Sequence, residues 1–223
     1  MSHNDDPDPI TADIVLQAYS MGLFPMSESA DDPSLFWVEP QRRGLIPLHG
    51  FHMSKSLRQT LRAGTFEIGI DVDFDAVIGA CASTRKDTWI NPRIRTLFSE
   101  LFERGMVHTV ECRQNGQLVG GLYGLSIGSV FFGESMFHTV TDASKAALAF
   151  LVARLIYGGY SLLDTQFVTP HLRSLGAIEM DRILYRGVLR QALDQDADFH
   201  ALGRETDPSP EDAIRIIQHA RQR

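Results

Sequence analysis

The stretch HTVECRQNGQLVGGLYGLSIGSVFFGESMF, residues 108–137, decides the fold class. Apolar and β-branched residues flank Asn115-Gly116, a pair suited to a type I′ turn, which predicts an antiparallel hairpin over 108–113 and 117–125. A third strand over 129–137 follows Gly128 and extends the run into a meander. Next, the Ala-rich segment 143–157 is apolar almost all round. That pattern predicts a helix buried against the sheet, capped by Thr141 and Asp142 and ended by Gly158-Gly159. A strand over 161–168, a short helix over 170–175, a helix over 182–193 and a terminal helix complete this side; Ser209 caps the last, Pro210 opens it, and Arg221 and Arg223 sit in its final turn.

Working back toward the N-terminus, helices are expected over 12–21 with Thr11 as cap, over 54–62, over 74–82 with Asp73 as cap and over 92–103, with a strand over 65–71. Residues 22–50 hold four of the ten prolines among Phe24, Met26, Phe36 and Trp37, so they read as an irregular segment packed by its aromatics. The expected organisation is α+β, a mixed sheet flanked by helices, with a small N-terminal domain over 1–47 and a larger one over 48–223. The acidic opening to residue 9 reads as a frayed tail.

Composition narrows the function. With 43% apolar and 22% charged residues the chain is an ordinary folded protein, not a collagen-like, disordered or heptad sequence. A net charge of −7 argues against a wholesale polyanion coat. Residues 42–95 nevertheless carry nine bases against five acids, a local +4, which leaves room for a limited phosphate contact; a solvated mixed-charge face accounts for the same pattern. Cys81 and Cys112 are too few for a disulfide framework or a cysteine-rich metal site. The acidic N-terminus lacks a signal-peptide pattern, and the longest apolar run, 146–153, is far short of the roughly 20 residues that span a bilayer. A cytoplasmic protein without membrane contact is expected.

Two polar intrusions into apolar strands carry the chemistry. Asp164 and Gln166 interrupt 161–168 on one face, and a carboxylate inside a core costs several kcal/mol unless it is paired or lines a wet cleft. Glu134 breaks 129–137 directly after Gly133; period two places it with Phe132 and Met136, opposite Phe131, Ser135 and Phe137. An edge strand with a solvent-facing Glu fits that pattern equally well. Gly124-Leu-Ser126-Ile-Gly128 matches the G-x-S-x-G nucleophile elbow, and Asp142 or Asp164 and then His171 follow in the right order. The elbow must join a strand to a helix, however, whereas more strand follows Ser126. The eight histidines form no H-E-x-x-H or other dense ligand motif, so no metal is expected. Neither nucleotide loop is present, and Gln41-Arg-Arg-Gly44-Leu-Ile46 fails the last position of an acetyl-coenzyme A pyrophosphate loop.

Seven phrases run in order between residues 10 and 193: Ala18-Tyr-Ser-Met-Gly-Leu-Phe-Pro25, Thr88-Trp-Ile90, Gly120-Gly-Leu-Tyr-Gly124, Gly133-Glu-Ser-Met-Phe137, Ala143-Ser-Lys145, Leu163-Asp-Thr-Gln166 and Ser174-Leu-Gly-Ala177. Together they resemble the bacterial leucyl/phenylalanyl-tRNA–protein transferases. The resemblance implies a GCN5-related acyltransferase-like catalytic domain in which an aminoacyl-tRNA takes the coenzyme's place, with no cofactor. It implies transfer of Leu or Phe, less readily Met, to proteins or peptides beginning with Arg or Lys, which are thereby marked for N-degron proteolysis, and it suggests a monomer.

The same resemblance places Asp164, Gln166 and Glu134 at the reaction centre, with Asp164 polarising the Gln166 side chain. Leu122, Phe131, Met136 and Leu163 become candidates for the apolar pocket, and Tyr19 and Trp89 for stacking on the terminal adenosine. Met26 stands where many members have Trp. Lys55, Arg58, Arg62, Arg85, Lys86, Arg93 and Arg95 are candidates for the acceptor stem. Asp164→Ala is expected to lose turnover while the chain still folds. Two other readings stay open: a serine hydrolase built on Ser126, and a non-enzymatic receptor for N-terminal Arg or Lys.

Overall fold

The computed structural model describes residues 10–84, 87–203 and 208–222. The chain opens with α1 (Ala12–Ser20), β1 (Phe24–Met26), β2 (Phe36–Val38), β3 (Arg42–Ile46), one turn of 3-10 helix (Leu48–Gly50), α2 (Lys55–Arg62), β4 (Glu67–Ile70), α3 (Phe74–Ser83) and α4 (Pro92–Glu103). The meander β5 (Val107–Gln114), β6 (Gln117–Ile127) and β7 (Val130–His138) comes next. It is followed by α5 (Ala143–Tyr157), β8 (Leu162–Gln166), α6 (Pro170–Ser174), β9 (Ile178–Asp181), α7 (Arg182–Leu193) and α8 (Pro210–Ala220).

The hairpin forms where the sequence puts it. Asn115 and Gly116 both take positive φ, 53° and 74°, and set Gln114 opposite Gln117. Seven strands make one mixed sheet in the order β4-β5-β6-β7-β8-β3-β9, in which only the β7–β8 contact is parallel. β1 and β2 pair separately near the N-terminus. The architecture is α+β, as the sequence indicates. Helices α2, α5 and α8 pack on one face of the sheet, and α1, α3, α4 and α7 pack on the other. Because α2 and α8 cover the outer side of α5, that helix is buried almost all round. Each fully buried Leu, Val or Phe in these layers contributes roughly 1.5–3 kcal/mol relative to exposure.

Several local readings change. The segment 22–50 is not irregular throughout, since β3, although it precedes the expected seam at residue 48, inserts between β8 and β9 of the large sheet. Three- to five-residue strands are too short to show a period, and here the partners supply what local pattern lacks. β9 was hidden for the same reason. Asp142 occupies the N-cap position of α5 in the left-handed region at φ 67°, and its carbonyl accepts the Ala146 N–H at 2.8 Å, but its side chain caps nothing and accepts instead from Lys145 Nζ at 2.8 Å. The expected frayed tail and Arg223 fall outside the described residues.

The period-two reading of β7 fails at one place. Gly133 pairs with Gly124 and Ser135 with Tyr123, leaving Glu134 as the extra residue of a bulge. Alternation restarts there, so Phe131 and Met136 share one face while Phe132 and Phe137 share the other. Gly124, opposite the bulge, has to be glycine, because a Cβ there would lie 2.3 Å from the Phe131 ring and 2.4 Å from the Phe132 carbonyl oxygen. Gly124→Ala is expected to lower stability by about 1–3 kcal/mol, measured by urea unfolding, through displacement of β7.

Candidate active site

β7 and β8 pair only over Val130–Phe132 and Leu162–Asp164, yet β7 runs on to His138. The bulge at Glu134 turns it away from β8, and a cavity of about 620 Å³ opens where the pairing stops. Glu134 and Gln166 lie on opposite lips of this split. Gln166 Nε2 donates to Glu134 Oε1 at 3.1 Å across it. Leu122, Met136, Leu148, Leu151, Leu163 and Leu172 give the cavity an apolar side, while Met26 and Trp89 line it from the other layer.

Asp164 lies behind the cavity, fully buried. Arg43 Nε donates to both its oxygens, at 3.0 and 2.9 Å, the Gln166 backbone N–H donates to Oδ1 at 2.7 Å, and the Tyr185 hydroxyl donates to Oδ2. Arg43 is itself held between the rings of Phe24 and Tyr185, 4.6 and 4.9 Å from their centroids, and its Nη1 donates to the Gly22 carbonyl at 2.9 Å. Burial and then the Asp164 charge push the Tyr185 hydroxyl far above its ordinary pKa, so it stays a proton donor.

Gln166 owes its position to this group. Its φ of 56° is left-handed, a conformation that costs a non-glycine residue on the order of 1–3 kcal/mol and persists only where the surroundings impose it. The carboxylate that accepts its N–H supplies that constraint. Gly44 makes the neighbouring bulge feasible, since a Cβ there would fall 2.6 Å from the Phe167 carbonyl carbon. Asp164 therefore holds the backbone of Gln166 and does not touch its side chain, which corrects the expected polarisation.

Glu134 has the most displaced acidity at the cavity. Burial raises its pKa from 4.5 to about 8; the facing Tyr19 hydroxyl opposes this, and the Asp164 charge adds to it. Tyr19 is wholly enclosed, its ring edge-on to Phe132 at 5.0 Å. It has no open face for an adenosine, and its role is to face Glu134. Phe131 is likewise sealed, stacked against Phe199 at 5.6 Å, and is not part of the cavity wall. Trp89, Leu122, Met136 and Leu163 line the cavity.

The basic candidates do not form one patch. Lys55, Arg58 and Arg62 lie on α2, on the face covered by α5 and α8, whereas Arg93 and Arg95 lie on α4, on the opposite face. Arg62 already pairs with Glu211 at 2.9 Å. Arg85 and Lys86 lie outside the described residues. Ser126 is within β6 and its hydroxyl bonds Tyr160 at 2.7 Å, while Asp142 pairs with Lys145, so among the described residues neither the strand-to-helix elbow nor an imidazole bonded to Ser126, both of which a hydrolase needs, is present.

Sequence reasoning did not place Arg43 or Tyr185 at this site, and it offered His171 only as a hydrolase histidine, not as part of the cavity wall. A charged residue directly before Gly-Leu-Ile is the one signal that could have marked Arg43 as buried. Tyr185 sits four residues before Leu189 on the buried stripe of α7 and looks like ordinary core. His171, on the cavity wall, has its pKa lowered by burial and by Lys145 and His138, which keeps the imidazole neutral near pH 7.

Comparison with known proteins finds relatives over most of the chain. Residues 45–190 match the family described as leucyl/phenylalanyl-tRNA protein transferase, and residues 8–41 match its N-terminal domain. A protein of Rhodopseudomonas palustris (strain TIE-1) named leucyl/phenylalanyl-tRNA–protein transferase is 54% identical over 211 residues, covering 93% of this chain and 94% of the relative. Proteins of the same name from Nitrobacter winogradskyi and Paramagnetospirillum magneticum are 51% and 55% identical, covering 97% and 86% of this chain and 98% and 93% of their own lengths.

Two consequences can be measured. Because Asp164→Ala leaves Arg43 charged and buried, it is expected to destabilise the chain by about 3–5 kcal/mol in denaturant unfolding, and not to leave folding untouched; the double variant Arg43→Met/Asp164→Leu recovers much of that loss. Glu134 is neutral in both folded and unfolded chains below pH 4.5. Between 4.5 and about 8 only the unfolded chain ionises it, so this residue's contribution to stability falls through that window and levels off above it. Glu134→Gln removes the decline, and its stability relative to the parent, compared at pH 4.5 and 8.5, rises with pH.

Proposed function

The chain belongs to the leucyl/phenylalanyl-tRNA–protein transferase family, and from that premise we propose that it moves Leu or Phe, and less readily Met, from aminoacyl-tRNA to the α-amino group of proteins beginning with Arg or Lys. The observation that carries this reading is the Glu134–Gln166 pair spanning a cavity with one apolar side. The apolar side takes the transferred side chain; Met136 there has a flexible thioether that adapts to branched and planar groups alike. Trp89 and Met26 lie where a terminal adenosine enters, and Met26 stacks less well than the Trp of many relatives.

In the reaction the acceptor nitrogen attacks the ester carbonyl, the new C–N bond forms, the bond from the carbonyl carbon to the ribose oxygen breaks, and a proton from the amine ends on that oxygen. A free α-amine, with a pKa near 8, is partly neutral already, so positioning contributes more than a strong base. Gln166 Nε2 is engaged by Glu134, which leaves its oxygen to orient the amine. Glu134, with a pKa of about 8, matches the α-ammonium and exchanges a proton with it at little cost. Arg43, Asp164 and Tyr185 hold the Gln166 backbone without touching substrate.

A role in N-degron proteolysis and a cytoplasmic location complete the proposal; among the described residues no helix is long and apolar enough to cross a membrane. The direct test is incubation with radiolabelled Leu-tRNA and an Arg-initiated peptide. Label at the peptide's N-terminus is expected, whereas peptide binding without label would favour a receptor. Glu134→Gln is expected to lower kcat/KM for the peptide about 100-fold or more, with the KM for aminoacyl-tRNA unchanged. Alanine at both Lys55 and Arg58 is expected to reduce the salt slope of tRNA binding by about 2, one for each phosphate no longer neutralised, and the same pair of changes at Arg93 and Arg95 shows whether the opposite face also meets the acceptor stem.

A further inference from the structure

A second cluster of chemically active side chains lies away from the cavity. Asp71, directly after β4, His108 at the start of β5, and His200 in the stretch 195–203 after α7 bring a carboxylate oxygen and two imidazole nitrogens within 4.8 Å of one another. We propose that Asp71, His108 and His200 bind a divalent transition-metal ion of the zinc class, which pins the 195–203 segment to the edge of the sheet.

The arrangement is built for one oxygen to serve two rings. Asp71 Oδ1 accepts the Thr109 N–H at 2.7 Å, which fixes the carboxylate's orientation. Its Oδ2 then faces His108 Nδ1 at 2.9 Å and His200 Nε2 at 3.5 Å. Ligands held about 2.0–2.2 Å from a tetrahedral ion lie roughly 3.3–3.5 Å from one another, so the His200 contact already has that spacing, and the hydrogen-bonded His108 contact opens by a few tenths of an ångström, through movement of the part-exposed Asp71, as the ion replaces the shared proton. The His200 side chain is 21% exposed and that of Asp71 19%, so an ion can enter from that side and both can adjust around it. His108 is held rigidly, its ring stacked on Phe199 at 3.9 Å and 10°.

Two nitrogens and one carboxylate oxygen suit zinc and its neighbours, with water completing the fourth position, and supply too few oxygens for calcium or magnesium. The segment that carries His200 is already positioned to receive it. Arg154 Nη1 donates to the carbonyls of Phe199 at 2.9 Å and Gly203 at 3.1 Å, and the Asp198 N–H donates to Gly158 O at 2.9 Å. None of the three ligands lines the reaction cavity, so the ion's role is structural and independent of the transfer reaction.

The test is calorimetric titration of the full, chelator-treated chain with Zn²⁺, alongside thermal unfolding. One equivalent is expected to bind and to raise the unfolding midpoint by several degrees. His200→Ala and, separately, the nearly isosteric Asp71→Asn each weaken binding at least tenfold and abolish the midpoint rise, while aminoacyl transfer by His200→Ala stays at the parent level. His108 is left in place because its ring is part of the packing. Failure of the parent chain to take up Zn²⁺, or uptake undiminished in both variants, overturns the proposal.

Discussion

A carboxylate at the centre of a seven-stranded sheet has to be neutralised where it stands, and the Arg43–Asp164 pair does this with both side chains at or below 1% exposure. The desolvation of two ions is offset by several strong contacts made at once: the Arg43 Nε–H shared between both carboxylate oxygens, one hydrogen bond from Tyr185, one from the Gln166 backbone, and two aromatic rings against the guanidinium. These partners come from β3, α7, β8 and the β1 region. The pair therefore ties the N-terminal part, the late helix and the central strands to a single point. It also sets the left-handed turn at Gln166, and that turn ends β8 and aims an amide at the cavity.

The cavity follows from two irregularities facing each other. β8 ends in that turn, and β7 bends at the Glu134 bulge; each is stabilised by what lies behind it, Asp164 in one case and the glycine at 124 in the other. A regular parallel pair would have sealed the gap with side chains from both strands. Diverging strands leave polar groups of the strand interior facing a hollow, a geometry suited to a reaction whose chief needs are alignment and exclusion of water.

What the sequence made legible was whatever is local. The Asn115-Gly116 turn, the Thr11, Asp73 and Ser209 caps and the buried α5 are each specified by a few adjacent residues, and each formed as read. Asp164, Gln166 and Glu134 stood out because a polar residue in an apolar strand needs a reason. What stayed hidden depended on distant partners. Arg43 is 121 positions from Asp164, β3 and β9 are strands only by virtue of their neighbours, and the sealing of Tyr19 and Phe131 is decided by packing across layers. The bulge was the costliest omission, because one extra residue exchanged the faces of everything after it in β7.

The division of labour between the two carboxylates is an argument about charge. Asp164 has its negative charge committed to Arg43, so it offers little net attraction to a cation in the cavity. Glu134 is largely neutral while the cavity is empty, because burial disfavours its ionised form and the Asp164 charge adds to that. An arriving ammonium reverses the balance by supplying the opposite charge that burial withheld. The empty site thus avoids holding an unpaired anion beside an apolar wall, and in the proposed reaction the anion forms when a cationic N-terminus is there to pair with it. A permanently ionised carboxylate in the same place would draw in water and ions and spoil the apolar side that, in the proposed reaction, holds a Leu or Phe side chain. A pKa near neutrality lets one small cavity accept both a greasy donor and a charged acceptor.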